Sequence, residues 1–196
     1  MMKKRRSFRR PYANRAYNKL FIISAEGDQT EPQYFAMLNK MSKSTVKCLN
    51  NLHDTSPVQI LKVIKTDLKK RRLRKGDEAW IVVDRDIWEP EELNALVEWA
   101  NKNGNFHLAL SNPKFEYWLL LHFEEGNSIS SPKNCEDRLK KHLPTYNKDI
   151  QVSKIKPKIQ DAITRAKAKD TPRCETWPKQ AGTTVYRLVA KIIQDK

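Results

Sequence analysis

Ala79-Trp80-Ile81-Val82-Val83-Asp84-Arg85-Asp86 is the stretch on which the fold turns. Five apolar residues in succession, rich in Ile and Val, predict a strand buried on both faces, as in a parallel sheet. Two carboxylates follow where that strand should end. Ligands of open α/β sheets lie beyond the carboxyl ends of the strands, so Asp84 and Asp86 fall where a site would form. A second apolar run, Leu20-Phe21-Ile22-Ile23, also ends near an acid, Glu26. Acids from two strand ends would suit a hard cation with oxygen ligands, Mg²⁺ or Mn²⁺. Taken alone, Asp-x-Asp has an ordinary alternative in turn chemistry after a strand. The matching acid after the first strand favours the site.

Outward from that stretch, residues 19–24 predict the first strand. Thr30 and Gln33 have capping-box spacing ahead of a helix, with Pro32 in its first turn. Tyr34, Leu38 and Met41 share a face of that helix. A weaker strand follows at 45–49. Ser56, Pro57 and Gln59 then open a second helix, for which Val58, Leu61, Ile64 and Leu68 are the expected buried stripe. A third helix is predicted over 90–102, with Glu89, Glu91 and Glu92 near its positive end. Its inward positions are Leu93, Leu96, Val97 and Ala100. Residues 106–110 form a fourth strand candidate. Ser111-Asn112-Pro113 should open another helix, on which Phe115, Trp118, Leu119 and His122 share a face. Strand and helix thus alternate with short connections, which implies a mostly parallel sheet with right-handed crossovers.

Composition shifts after Gly126 to short, basic, proline-punctuated helical pieces. Ile155, Ile159, Ala162, Ile163 and Ala166 suggest one helix. Val185, Leu188, Val189 and Ile192 define a last amphipathic helix that must pack back on the core. The expected organisation is a basic arm over 1–18, an α/β domain over 19–126 and an α-helical C-terminal extension over 127–196 on the same core.

The chain has 196 residues, 39% hydrophobic and 31% charged, a globular mixture with a net charge of +15. Such a balance favours a polyanionic partner. The charge is unevenly spread: residues 76–132 hold eleven acids against three bases. An acidic centre in a basic shell suits carboxylate-held metal with substrate phosphates gripped around it. The densest basic run is Lys69, Lys70, Arg71, Arg72, Arg74 and Lys75. Cations complement a helix C-terminus, and Gly76 suits the residue after it, yet six bases exceed that need and make phosphate contact a second reading. Cys48, Cys135 and Cys174 have no paired spacing, which disfavours a disulfide framework or zinc site and points to a reducing cytoplasm. No apolar run approaches the ~18 residues of a membrane span, so no membrane partner is expected.

Three stretches together resemble the RloB-like family. They are residues 26–35 (Glu-Gly-Asp-Gln-Thr-Glu-Pro-Gln-Tyr-Phe), Asp84-Arg85-Asp86, and residues 111–123 (Ser-Asn-Pro-Lys-Phe-Glu-Tyr-Trp-Leu-Leu-Leu-His-Phe). That family is similar to the Toprim group of type IA topoisomerases, primases and OLD-type nucleases. The resemblance implies a Toprim-like central parallel sheet flanked by helices. It implies Mg²⁺ (or Mn²⁺) held by Glu26, Asp84 and Asp86, and phosphodiester cleavage of DNA or RNA, tRNA included. It further implies a phage-defence effector working with an AAA or ABC-type ATPase. Glu31 and Glu116 match acids within the family's motifs. The chain departs from the pattern at 178–184, where members often carry Asn-Pro-x-Thr.

On these residues, Glu26 would ligate metal or act as general base, and Asp84 and Asp86 would ligate. Glu116 would join them or orient a water, its ordinary alternative being a dipole role in the first turn of its helix. Glu31 has the same ordinary alternative. Arg85 is a phosphate clamp or a surface arginine. His107 and His122 read as structural. Competing readings are a binding or regulatory module without catalysis and a haloacid-dehalogenase-type phosphatase. The latter would want its Asp-x-Asp after the first strand.

Overall fold

The computed structural model describes residues 17–49, 55–85 and 88–194. All but Tyr17 and Asn18 of the basic arm lie outside the described residues, as does Asp86. Strands β1 (Leu20–Ala25), β2 (Thr45–Leu49), β3 (Glu78–Asp84), β4 (Phe106–Asn112) and β5 (Gly182–Thr183) form one sheet in the order β2-β1-β3-β4-β5. The first four are mutually parallel, and β5 runs antiparallel to β4. The helices are α1 (Thr30–Asn39), α2 (Pro57–Lys70), α3 (Pro90–Asn101), α4 (Phe115–Leu120), α5 (Pro132–His142), α6 (Val152–Ile155), α7 (Ile159–Lys169) and α8 (Val185–Gln194). The expected α/β class, a mostly parallel sheet flanked by helices, is the one observed.

Alternation along the strands divides the core into two. Phe21, Ile23 and Ala25 of β1, with Trp80 and Val82 of β3, pack under α1, α4, α5, α7 and α8. Ile22, Ala79, Ile81 and Val83 face the other way, toward α2 and α3. Both sheet faces are therefore covered, which is why β3 reads as an unbroken apolar run rather than an alternating one. Leu188, Val189 and Ile192 of α8 are fully buried in the first of these clusters, together with Leu139, Ile155 and Ala162. Among the described residues no helix is long and apolar enough to cross a membrane.

Several local expectations are corrected. The buried side of α2 is Pro57, Ile60 and Ile64, with the expected Leu61 and Leu68 partly buried against the same core, while Val58 is 68% exposed. Both stripes have helical spacing and share Ile64, so only docking on the sheet could set how deeply each is buried. Ser56 does cap α2, accepting from the Gln59 N–H. The capping box at α1 does not form, because Thr30 lies inside the helix and its hydroxyl donates to the Lys148 carbonyl instead. Ser111 and Asn112 belong to β4 rather than to the next helix, which starts at Phe115. The strand extends because β5, absent from the sequence reading, pairs with it there. The helix expected over 155–166 is divided into α6, a 3₁₀ turn Lys156–Lys158 and α7, with Pro157 in the turn.

Candidate functional site

A parallel sheet sends the ends of β1, β3 and β4 to one edge, and the acids collect there. The Glu26 N–H donates to the Val82 carbonyl at 2.9 Å, prolonging the β1/β3 ladder by one step. Its carboxylate then reaches across to β3. Oε2 accepts from the Asp84 N–H at 2.9 Å, and Oε1 accepts from the Trp88 indole N–H at 3.0 Å. Asp84 ends β3 on the same face as Trp80 and Val82. Its Oδ1 is buried and has no hydrogen-bond partner, although the Phe115 N–H supports its carboxylate.

Two more carboxylates close on this point. Glu31, in the first turn of α1, is 5% exposed and accepts from the Gly27 N–H at 3.2 Å. A Cβ at Gly27 would stand 2.0 Å from Glu31 Oε2, so glycine is what lets this carboxylate in. Glu116, in the first turn of α4, is 3% exposed. Its Oε1 accepts from Lys148 Nζ at 2.7 Å and from the Tyr146 hydroxyl at 2.9 Å. Glu26, Glu31, Asp84, Glu116 and Lys148 line one cleft of about 440 Å³.

The electrostatics follow from that crowding. Burial, then the charges of Glu31, Glu26 and Glu116, push Asp84 well above the usual carboxylate range. Burial, reinforced by Glu116 and Glu26, raises Glu31 from 4.5 to about 7. Burial also acts on Glu116, but Lys148, Lys114 and Tyr146 outweigh it and hold this acid below its usual value. One carboxylate in the cleft is thus held ionised while two others resist ionisation.

Sequence reasoning located Glu26, Asp84, Glu31 and Glu116, and the structure brings these four together. It missed Lys148, Tyr146 and Trp88. Lys148 lies in a loop docked by Thr30 and Gln33, the pair that was expected to cap α1. The Gln33 side chain accepts from the Ile150 N–H at 3.2 Å and donates to Asp149 at 3.0 Å. Nothing in the local pattern around Lys148 signals this. Arg85 faces away from the acids into a neighbouring cleft, and its guanidinium donates to the Trp88 carbonyl. The basic run 69–75 closes α2 and precedes the start of β3. It therefore lies at the opposite edge of the sheet, about 20 Å away along the seven residues of β3. There Arg71 pairs with Asp67 at 2.7 Å and Arg74 covers the Tyr17 ring. His122 is a packed core residue, bonded to Tyr34 and to the Trp118 carbonyl and lowered by burial to about 4.

A family profile described as RloB-like protein matches residues 21–192. The chain belongs to the RloB-like family. No curated protein and no solved structure matches it. The RloB-like match takes in β1, the acid cleft and all but the end of α8, so every carboxylate of the cleft lies inside the family region.

Proposed function

We propose that the chain is a metal-dependent nuclease, hydrolysing phosphodiester bonds of DNA or RNA at the cleft between the ends of β1 and β3. The observation that carries this reading is the convergence of Glu26, Glu31, Asp84 and Glu116 in one cleft, which the exposed Asp28 also lines, with Asp84 Oδ1 buried and unpartnered. Mutual repulsion helps raise Asp84 and Glu31, and a bound cation would offset it. The donor set is all oxygen, the kind that Mg²⁺ and Mn²⁺ take. Among the described residues, no group of three or more His, Cys, Asp or Glu is arranged to hold a metal by itself. Asp84 and Glu26 would hold the cation, joined by Asp86 and by waters, as Mg²⁺ usually keeps several. When bound, it would supply positive charge at the scissile phosphate and acidify a coordinated water.

The chain's own residues have distinct tasks in that scheme. Glu31, which stands at about 7 in the metal-free protein, is placed to take up and return a proton at its carboxylate. Glu26, held by the Asp84 N–H and the Trp88 indole, keeps a fixed orientation suited to ligation. Lys148 stands at the cleft mouth, half exposed, where its ammonium can meet a phosphate oxygen. Glu116 positions Lys148. The run 69–75, at the far edge, supports long-range attraction of a polyanion rather than contact at the scissile bond. Family membership supports a role as a phage-defence effector acting with an AAA or ABC-type ATPase.

The test is cleavage of DNA and RNA, tRNA included, by purified protein with Mg²⁺, alone and with a candidate AAA or ABC-type ATPase. Glu26→Gln and Asp84→Asn should abolish cutting, and cutting that persists in both would sink the assignment. A second reading, a nucleic-acid-binding or regulatory module without catalysis, draws on the internal engagement of both Glu26 oxygens. Calorimetry showing no uptake of Mg²⁺ or Mn²⁺ would favour it.

A further inference from the structure

Beside the acid cleft, on the far side of Arg85, the same edge of the sheet carries a second cleft of about 350 Å³. It lies between Arg85, Asn112, Ser130, Ser131 and Lys179. It adjoins a third, of about 440 Å³, which shares Lys179 and Ala181 and continues to Lys169. The geometry points to a phosphate track: we propose that Arg85, Lys179 and Lys169 hold successive backbone phosphates of the nucleic-acid strand whose cleavage is proposed above. The inference rests on that reading and assigns its substrate contacts to residues other than the basic run 69–75.

Three features support it. The cations are placed rather than adrift. Lys179 Nζ lies 3.9 Å from the centre of the Trp177 ring, and Trp177 is buried. Arg85 is anchored through its backbone N–H, which donates to the Ser111 and Pro113 carbonyls at 2.9 and 3.1 Å. Second, the segment bearing Lys179 is held at the β4 end. The Asn112 side-chain amide donates to the Pro178 carbonyl at 3.0 Å, and Gly182–Thr183 pair with β4. A Cβ at Gly182 would press on Pro178 at 3.0 Å, so this turn is tight. Third, among the described residues no acid pairs with Arg85, Lys179 or Lys169. Among the described residues lining the two clefts, the acid is Asp170, which is already paired with Arg187 and accepts from the Tyr186 hydroxyl. Ser130 and Ser131 add hydroxyl groups of the kind that contact phosphate oxygens.

The test is fluorescence-anisotropy titration of labelled DNA and RNA oligonucleotides, single- and double-stranded, in EDTA so that cutting does not intervene. Arg85→Ala, Lys179→Ala and Lys169→Ala should each weaken binding by roughly fivefold at 0.15 M salt. Each should also reduce the slope of log K against log salt by about 0.7–0.9. Lys179→Arg should restore both. Lys133→Ala, on a side chain 83% exposed over α5, should change neither. Circular dichroism melts confirm that each variant is folded, and Lys179, at the surface, is the decisive one. If wild type binds neither DNA nor RNA, the track and the nuclease reading fall together. Binding whose slope is unmoved by Lys179→Ala and Lys169→Ala overturns the track alone. Binding that weakens as stated in a protein that cuts nothing supports the track and removes the nuclease reading.

Discussion

Glu31→Gln should make the metal-free protein more stable at alkaline pH and leave it unchanged at acid pH. The amide keeps an oxygen for the Gly27 N–H, which Glu31 Oε1 now accepts at 3.2 Å, and removes only the charge. A carboxyl that moves from 4.5 to about 7 on folding destabilises the fold, once ionised, by at most about 3 kcal/mol. Because the folded value is the higher one, the stability contribution of neutral Glu31 is whole below pH 4.5. It is lost as the pH rises through about 7. Thermal melts in EDTA at pH 4.5 and 8.5 measure this directly. At pH 8.5 the variant should melt higher by up to roughly 10 °C, since each kcal/mol moves Tm by a few degrees in a domain of this size. At pH 4.5 the two curves should coincide. Added Mg²⁺ at pH 8.5 should narrow the gap by stabilising wild type more. Equal melting at both pH values, or a variant less stable at pH 8.5, would refute the crowding argument.

Gly27→Ala places a methyl group 2.0 Å from Glu31 Oε2, so it should expel that carboxylate and cost at least tenfold in Mg²⁺-dependent cutting, read by gel assay. Lys148→Met removes the charge that holds Glu116 low. The Glu116 pKa should rise, as followed by carboxyl NMR, and cutting should fall while Lys148→Arg retains most of it. Leu188→Ala in α8 should cost about 2–5 kcal/mol in urea unfolding. The transition should stay single, because α8 shares its core with β1 and β3. Two separate transitions would contradict that shared core.

The fold was most legible where the period of the chain reports burial directly. β3 declared itself because both sheet faces are covered, and β2 and α3 came within a residue of their expected ends. Patterns with two solutions were legible only in part. On α2 the expected Leu61, Ile64 and Leu68 do meet the core but Ile60 replaces Val58, and the residues spaced to cap α1 instead hold the 148–150 loop. β5 is two residues long and has no pattern to read; it exists because Thr183 and Gly182 meet the end of β4.

By itself the sequence determined the alternation of strand and helix, and with it the placing of Glu26 and Asp84 at one edge. Parallel strands send their carboxyl ends to one edge, so acids after them share that edge; that β1 and β3 lie side by side was decided by the tertiary structure. Only the tertiary structure decided what those acids are like. Glu31 is near neutrality and Glu116 ionised because of what surrounds each at a few ångströms, and Lys148 is 32 residues from the Glu116 it pairs with. The basic charge was divided in the same way. The dense run 69–75 ends a helix at the far edge, whereas the scattered Arg85, Lys169 and Lys179 share clefts beside the acids. Local periodicity carries burial, but the sign and strength of a site depend on distances between groups that the chain brings together only when folded.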